Sequence, residues 1–224
     1  MTTTNHLHQF LAAHEGESSF LEHEVKGLLR GLGVSVPAGI FVPVGGRIPE
    51  PFPLSFPLVA KVAGRKIAGK SDVGGVRLAI ADSQELGRAI AELSSIAGAE
   101  GVLVEEQARP GVEVIVGGTI DPQFGPVVMF GLGGVLVELF RDVAFALAPL
   151  GHDEARTLIA QTKGSRLLMD YRGKPRADME ALESVIVTVS ELIGSGLIEE
   201  IDLNPLILYP HGAMAVDAKL KRRL

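Results

Sequence analysis

The sequence predicts an α+β protein, with two α/β lobes that enclose a cleft. Short β-type runs and amphipathic helices follow one another without the regular strand–helix alternation that is typical of a parallel sheet. Acidic residues recur where the apolar runs end, so we expect a polar site at the ends of the strands. With 224 residues, of which 46% are hydrophobic, the chain is long enough for one compact domain of this kind.

Residues 18–108 are predicted to form the smaller lobe, after a flexible tail at residues 1–17 that is polar and rich in histidine. Ser18 or Ser19 can cap a first helix, which Gly33 ends in the left-handed conformation. A buried strand containing a lysine follows, then a glycine-bearing loop, a returning strand, a helix and a further buried strand. These segments are Leu58–Val62, Gly69–Val76, Arg77–Ile80, Ser83–Ala97 and Val102–Glu105.

Residues 109–224 are predicted to form the larger lobe. Its predicted strands are Val112–Ile120, Val127–Phe130, Ile198–Leu208 and Ala213–Ala218, and its predicted helices are Asp153–Lys163 and Asp178–Ile193. The last two strands are expected to form a closing hairpin, because proline and glycine stand between them at Pro210 and Gly212.

Composition excludes several classes of protein. The net charge of −6 is spread along the chain, and the one basic cluster is at Lys219–Arg223, so nucleic acid is not the expected ligand. The longest apolar stretch, Val127–Phe140, contains three glycines and Glu138 and is too broken to span a membrane. There is no cysteine, which excludes disulfides and thiolate metal sites and is compatible with the cytoplasmic location that we expect.

A lysine and a glycine loop are arranged as in phosphate-binding sites. Enzymes that transfer phosphoryl groups mainly position and neutralise charge, and they use lysines and loop N–H groups to do so. Lys61 would reach the α- and β-phosphates from its strand, and Lys70 with Gly74 and Gly75 would lie over a triphosphate. The alternative interpretation is an ordinary hairpin loop, since a single glycine loop is a weak motif.

Acidic residues at the ends of strands supply the other groups of a nucleotide site. Glu105 and Glu106 close a buried strand, where an acceptor can bond a ribose or an adenine amino group, and Glu113 could reach the ribose hydroxyls. Taken alone, these residues can equally be solvated strand ends.

A magnesium site is predicted near the C-terminus. Mg²⁺ prefers hard oxygen ligands, which the segments EIDLNPL and AVDAKL contain. Asp202 and Asn204 are two apart on one strand and so share a face, and Asp217 comes from the adjoining strand. The alternative is that Asn204-Pro205 only makes a turn.

These motifs, taken in order, resemble the β subunit of ADP-forming acetyl-CoA synthetases, in the family that also contains succinyl-CoA synthetase β subunits. The resemblance covers nearly the whole chain after residue 17. The motifs that carry it are Lys61, GKSDVGGV, VLVEEQ, GVEVIVG, the stretch DPQFGPVVMFGLGGVLVELFRDVAFALAPL, EIDLNPL and AVDAKL.

The resemblance implies an ATP-grasp fold that binds ATP or ADP with Mg²⁺. Lys61 and the glycine loop would clasp the phosphates, the segment from Glu105 to Ala108 would form the adenine hinge, and Glu113 would hold the ribose. Asn204 and Asp217 match the magnesium ligands of the family, and Asp202 matches an acid that lies beside the phosphohistidine in succinyl relatives.

The resemblance also implies a partner. A CoA-binding α subunit would form a hetero-oligomer with this chain, and a histidine on its swinging loop would carry the phosphoryl group to ADP. The chain alone should then be inactive.

One departure from the family concerns residue 69. The acetyl-CoA synthetases of this family usually have a phosphoryl-carrying histidine just before KSDVGGV, where this chain has Gly69. Glycine has no nucleophile, so this carrier cannot form here. Either phosphate passes directly from the partner to ADP, or the chain binds nucleotide without turnover as a regulatory or assembly subunit. His152, a loop histidine, is a weak candidate to replace the missing carrier. A further alternative for the function is a carboxylate–amine ligase, which would normally need an additional substrate domain.

Overall fold

The computed structural model describes residues 2–67, 69–133, 142–169 and 176–223. The chain divides into two compact units. The smaller unit comprises Leu21–Glu24 and Pro37–Arg109, and the larger unit comprises Met1–Phe20, Val25–Val36 and Pro110–Leu224.

The smaller unit contains a four-stranded antiparallel sheet with strand order β1-β4-β2-β3. Its strands are β1 (Gly39–Pro43), β2 (Leu58–Ala63), β3 (Val76–Ile80) and β4 (Gly101–Glu106), and one helix, α3 (Ser83–Ser94), packs on β2, β3 and β4. Asp82 caps α3 by accepting a hydrogen bond from the Glu85 N–H. The apolar core lies between this helix and one face of the sheet, and it contains Leu58, Ala60, Val62, Leu86, Leu93, Val102 and Val104.

The larger unit contains a six-stranded sheet with order β10-β8-β5-β6-β7, and β9 pairs with the other half of β8. The strands are β5 (Val112–Asp121), β6 (Gly125–Leu132), β7 (Val143–Leu147), β8 (Ile198–Leu208), β9 (Ala213–Ala215) and β10 (Ala218–Arg222). The helices are α1 (Thr3–Ala13), α2 (Glu22–Gly31, assigned to this unit from Val25 onward), α4 (His152–Ala160) and α5 (Met179–Gly194), with a short 3₁₀ helix at Lys163–Leu168. The buried helix α5 packs on β5, β6 and β8 and contacts α1 and α4.

A β-bulge divides β8 into two halves. Val116 pairs with Leu203 while Val114 pairs with Leu206, so two residues of β8, Asn204 and Pro205, stand opposite one residue of β5. Proline has no N–H to donate to a sheet, which makes it suitable for a bulge. The extra residue changes which positions face the core: Ile201 and Leu203 before the bulge, and Leu206 and Leu208 after it. Glu200, Asp202 and Asn204 therefore lie together on the opposite face.

The prediction of a flexible tail at residues 1–17 is wrong for most of its length. Residues Thr3–Ala13 form α1, and Thr2 caps this helix by accepting a hydrogen bond from the Asn5 N–H. Leu7 and Leu11 are buried in the core of the larger unit. These two leucines are four residues apart and so share one face of a helix, which a composition dominated by polar residues concealed.

The predicted helices and strands occur in the predicted order, with ends shifted by a few residues, except that the last predicted strand, Ala213–Ala218, is divided between β9 and β10. The sequence did not predict α1, β1 or β7. Gly33 ends the first predicted helix at φ +83°, in the left-handed conformation. Residues 25–36 belong to the larger unit, whereas the sequence interpretation placed all of residues 18–108 in the smaller lobe. Among the described residues, no helix combines the length and the apolar character needed to cross a membrane.

Candidate functional site

Lys61 lies between two carboxylates in the smaller unit. Its Nζ is 2.7 Å from Oε1 of Glu22 and 2.9 Å from Oε2 of Glu105, and the three side chains are 7%, 6% and 3% exposed. The strand pattern explains the arrangement of two of them. Leu58, Ala60 and Val62 of β2 face the core under α3, so Lys61 points to the other face of the sheet. Glu105 shares that face on the neighbouring strand β4, diagonally across from Lys61.

Lys70 reaches the same cluster from the glycine loop. Its ammonium group bonds Oε2 of Glu22, the second oxygen of the carboxylate that accepts from Lys61. One carboxylate thus bridges the two lysines that the sequence predicted for phosphate. Glu22 is not among the residues predicted from the sequence, because acidic residues are common in the first turn of any helix, where they interact favourably with the helix dipole.

The glycine loop closes on itself. The Gly75 N–H donates to the Lys70 carbonyl at 2.6 Å, and the Gly74 N–H donates to the Ser71 carbonyl at 3.1 Å. A Cβ at Gly75 would lie 2.4 Å from Cγ1 of Val62, so glycine is needed for this close approach. In the structure these N–H groups make the bonds of a connecting turn, and their contact with a phosphate stays a prediction.

The predicted adenine hinge, Glu105–Ala108, follows the end of β4. Glu106 accepts a hydrogen bond of 2.9 Å from the Ser55 N–H, and its own N–H donates to the Ala38 carbonyl. Glu105 contacts Lys61 rather than lying open for a base or a ribose. The hinge is thus a well-bonded segment, and its role in recognising a base stays a prediction.

The predicted magnesium ligands lie at the bulge of β8 in the larger unit. Asp202 and Asn204 share the face of β8 that lies away from the core. The Val216 N–H donates to the Pro205 carbonyl at 3.0 Å, and this bond brings Asp217, the next residue along, close to Asn204. The structure therefore brings together the residues that the sequence placed on two adjoining strands.

Electrostatics at Asp202 favour a bound cation. Burial raises the pKa of Asp202, and the carboxylates of Asp217 and Glu200 raise this pKa further, while the Lys219 ammonium opposes them. Crowded carboxylate oxygens of this kind fit a hard divalent ion such as Mg²⁺. Among the described residues, no group of three acidic or histidine side chains is placed to hold a metal by itself. An ion held by Asn204 and Asp217 would take its remaining oxygens from water and phosphate.

A pocket of about 300 Å³ adjoins these polar residues. Glu200, Asp202 and Asn204 are among the polar residues that line it, and Gly117, Met129 and Phe145 are among the other lining residues. Glu113 lies on the same strand as Gly117 but four residues away, or about 13 Å along β5. The structure thus does not group Glu113 with the magnesium candidates, and its predicted contact with a ribose stays a prediction.

Gly69 and His152 are the two positions connected with a phosphoryl-carrying histidine, and the structure defines the side chains near each of them. A Cβ at Gly69 would lie 2.1 Å from Oδ2 of Asp72, so the Asp72 side chain occupies the space that a side chain at residue 69 would enter. His152 begins α4 and is 54% exposed, with Nδ1 3.8 Å from a carboxylate oxygen of Glu183. Arg156 binds Glu183 through two bonds of 2.9 and 3.0 Å, which makes this an ordinary ion-pair cluster.

Comparison with known proteins gives the family. The ATP-grasp domain family matches residues 11–221, which cover both units of the structure. The chain belongs to the ATP-grasp family. The α+β class predicted from the sequence is therefore confirmed, and so is the resemblance on which the nucleotide interpretation depends. Residues 134–141, which belong to the resembling stretch DPQFGPVVMFGLGGVLVELFRDVAFALAPL, lie outside the described residues.

The similar proteins include ADP-forming acetate–CoA ligases and acetyl-CoA synthetases. The β subunit of acetate–CoA ligase [ADP-forming] I from Pyrococcus furiosus is 37% identical over 212 residues, which are 89% of this chain and 90% of that protein. The acetyl-coenzyme A synthetase 1 of Ca. Korarchaeum cryptofilum, in complex with coenzyme A and Mg-AMPPCP, matches with a TM-score of 0.81 and 38% identity over 99% of this chain and 100% of that chain. The phosphohistidine segment of that structure points towards its nucleotide-binding site.

Some relatives are much longer. Acetate–CoA ligase [ADP-forming] II of Archaeoglobus fulgidus is 41% identical over 201 residues, and this chain spans 30% of its length. The ATP-grasp domain thus occurs in this family both as a β subunit of similar length and as part of a longer chain.

Proposed function

We propose that the chain is the nucleotide-binding subunit of an ADP-forming acyl-CoA synthetase. The observation that carries the proposal is the pair of lysines, Lys61 and Lys70, gathered around one carboxylate in a largely buried site. Two ammonium groups that converge on anionic oxygens are suited to bind the phosphates of a nucleotide. The similarity to β subunits over about nine-tenths of the chain supports the assignment to this enzyme class.

Each candidate residue has a role in this proposal. Lys61 and Lys70 neutralise the phosphate charge, and their effect is large because the cluster is shielded from water. Asn204 and Asp217 would hold Mg²⁺, which would supply further neutralisation of phosphate charge. Asp202 lies beside these ligands, where it can orient the group that delivers or receives the phosphoryl group. The chain thereby provides the nucleotide end of the reaction.

The acyl-CoA chemistry is assigned to a partner. We propose that a CoA-binding α subunit carries the phosphoryl group on a histidine and forms a hetero-oligomer with this chain. The phosphohistidine segment in the K. cryptofilum structure supports this division of roles. Gly69 supports direct transfer from the partner to ADP, since this position has no nucleophile.

Gly69 also favours a second candidate function. A subunit that binds nucleotide and regulates or assembles a complex would have no need of a carrier on its own chain. The two functions differ in turnover, so acyl-CoA-dependent formation of ATP by the reconstituted complex separates them.

Heat denaturation in the presence of nucleotide tests the proposed binding. A ligand that binds only the folded state raises the melting temperature, and millimolar Mg-ADP or Mg-ATP should do so here. Lys61→Ala should abolish this rise in melting temperature. Lys66→Ala, which removes an exposed lysine from the segment between β2 and β3, should retain it. Removing Lys61 also leaves Glu22 and Glu105 as buried carboxylates without this cation, so the variant should lose about 3 kcal/mol of stability. An unchanged melting temperature of the parent chain with nucleotide would refute the proposal.

A further inference from the structure

The carboxylate of Glu22 holds both phosphate lysines at once. Oε1 accepts from Lys61 at 2.7 Å and Oε2 accepts from Lys70, so the two oxygens of one group are each used by a different ammonium. A phosphate group presents oxygens of the same charge in a similar arrangement, about as far apart as those of a carboxylate. Glu22 thus makes the contacts that the lysines would make with a nucleotide.

Both lysines are already paired with carboxylates. Among the described residues, the ion pairs of this cluster include those of Glu22 with Lys61 and Lys70 and that of Glu105 with Lys61. The side chain of Glu22 is 6% exposed, so little water screens these interactions. An incoming polyphosphate therefore meets lysines whose charge is already compensated, and Glu22 would remain beside the added phosphate as an uncompensated anion if it kept its position.

We propose that Glu22 competes with the phosphate groups of the nucleotide for Lys61 and Lys70, so that binding displaces this carboxylate from at least one of the two lysines. The inference rests on the proposed nucleotide function. It assigns to Glu22 control of nucleotide affinity, a role that is distinct from the attraction supplied by the lysines. Lys70 is the lysine that changes partner more easily, because its loop position is less buried than that of Lys61 on β2.

Glu24 provides a matched control on the same turn of α2. It carries the same charge and is partly buried, but its carboxylate pairs with Arg65, at 2.8 Å, and accepts from the Leu21 N–H. Glu22→Gln and Glu24→Gln therefore change the net charge equally. Glu22→Gln removes the anion that pairs with both Lys61 and Lys70, whereas Glu24→Gln removes an anion that pairs with Arg65.

The test is a calorimetric titration of the full 224-residue chain with ADP, without metal, and with adenosine as a ligand that has no phosphate. We expect Glu22→Gln to bind ADP about tenfold more tightly than the parent, because the phosphates no longer displace a charged competitor. Glu24→Gln should stay within about twofold of the parent. Adenosine should bind all three proteins equally.

The outcomes separate this inference from the function on which it rests. If the parent binds ADP and Glu22→Gln binds it equally or more weakly, the competition is refuted and the nucleotide function stands. If neither the parent nor the variants bind ADP, both are refuted. If Glu22→Gln does not fold, Glu22→Asp replaces it: the side chain is one methylene shorter and cannot keep both bonds, so ADP should bind a few times more tightly than in the parent. Unchanged or weaker binding by that variant would equally refute the competition.

Discussion

Lys26 of α2 donates a hydrogen bond of 2.6 Å to the main-chain carbonyl of Val216, the residue that precedes Asp217. Lys26 is 2% exposed, so its ammonium group is buried together with this bond. The Val216 N–H bonds the Pro205 carbonyl on the other side. Val216 is thus hydrogen-bonded through both its carbonyl and its N–H, beside the proposed magnesium ligand Asp217. We infer that Lys26 positions Asp217 without contacting the ion.

Lys26→Met should therefore lower both stability and magnesium affinity. Methionine keeps much of the length of the side chain but leaves the Val216 carbonyl without this donor, which costs about 1–3 kcal/mol. Chemical unfolding should show the loss, and the Mg²⁺ concentration needed for half-maximal ADP binding should rise. Lys163→Met, at an exposed lysine of the same unit, should change neither quantity. A normal magnesium response in Lys26→Met would argue against the positioning role.

Asn204→Ala and Asp217→Ala should each weaken the magnesium-dependent part of nucleotide binding. The affinity for ADP with Mg²⁺ should fall roughly tenfold, or about 1.4 kcal/mol, because one oxygen ligand is lost. The affinity without Mg²⁺ should stay near that of the parent. Titrations with and without the metal provide the comparison, and Glu199→Ala, at a residue of the same strand that pairs with Lys221, is the control. Equal losses in both conditions would show that the two residues are not ligands.

Because Gly69 has no nucleophilic side chain, we expect that no phosphoryl group becomes covalently bound to this chain. Incubated with ATP labelled in the γ-phosphate and no partner, it should acquire no acid-labile, base-stable phosphohistidine, and the reconstituted complex should be labelled on the partner alone. Gly69→His and Gly69→Ala both require Asp72 to move, since a Cβ would lie 2.1 Å from its oxygen. Label on the histidine variant alone would show that residue 69 is still placed to receive a phosphoryl group. Label on the parent chain would contradict the prediction.

Asp178 should make stability depend on pH in the acidic range. Its carboxylate accepts hydrogen bonds from the Ala181 and Gly212 N–H groups, and these bonds lower the pKa of Asp178 below its ordinary value of 3.8. The stabilisation is fully present above the ordinary pKa and is lost as the pH falls through the lower, folded-state pKa. Asp178→Asn cannot accept both bonds and should cost about 1 kcal/mol at pH 7, less as the pH falls below 4. Urea unfolding at several pH values measures this. Asp153→Asn, at a carboxylate that is 93% exposed, is the control.

Leu7 tests whether the first helix is part of the folded unit. Leu7 is fully buried, so Leu7→Ala should destabilise the chain by about 3 kcal/mol through loss of buried area and creation of a cavity. Leu167→Ala makes the same change at a side chain that is 41% exposed, and it should cost less than about 0.5 kcal/mol. Equal unfolding midpoints for Leu7→Ala and the parent would restore the interpretation of this region as a tail.

The sequence draws attention to Lys61 because this residue breaks a local pattern. Burying a charged residue inside the apolar run Leu58–Val62 is costly unless the charge is paired. Strand alternation places Lys61 on the face that Glu105 shares. Glu22 breaks no pattern, since an acidic residue is ordinary in the first turn of a helix. Its contact with Lys61 spans 39 residues and follows only from the folded chain.

Two strands and one helix were missed for different reasons. β1 contains Gly39 and Pro43 in five residues and has the composition of a loop, but it pairs with β4 along its length. β7 lies at the end of the strand order, and its outward-facing residues Phe145 and Leu147 are apolar although they are exposed. Its sequence therefore lacks the alternation of apolar and polar residues that is typical of a half-buried strand. The first helix was concealed by polar residues around two well-spaced leucines.

The bulge at Asn204 and Pro205 gives β8 a phase that depends on the number of residues in it. If all residues of β8 were retained but the bulge were absent, the half before it would pair in the register of the half after it. Asn204 would then stand opposite Val116 in place of Leu203, so Ile201 and Leu203 would turn to the surface and Asp202 would turn to the core. Every side chain of the candidate site would still be present in such a strand, on the wrong side of the sheet. Loss of one residue from the bulge would instead make the pairing one-to-one and keep Ile201 and Leu203 in the core, so a gap of one residue in an aligned relative would remove the bulge without turning the rest of the strand over.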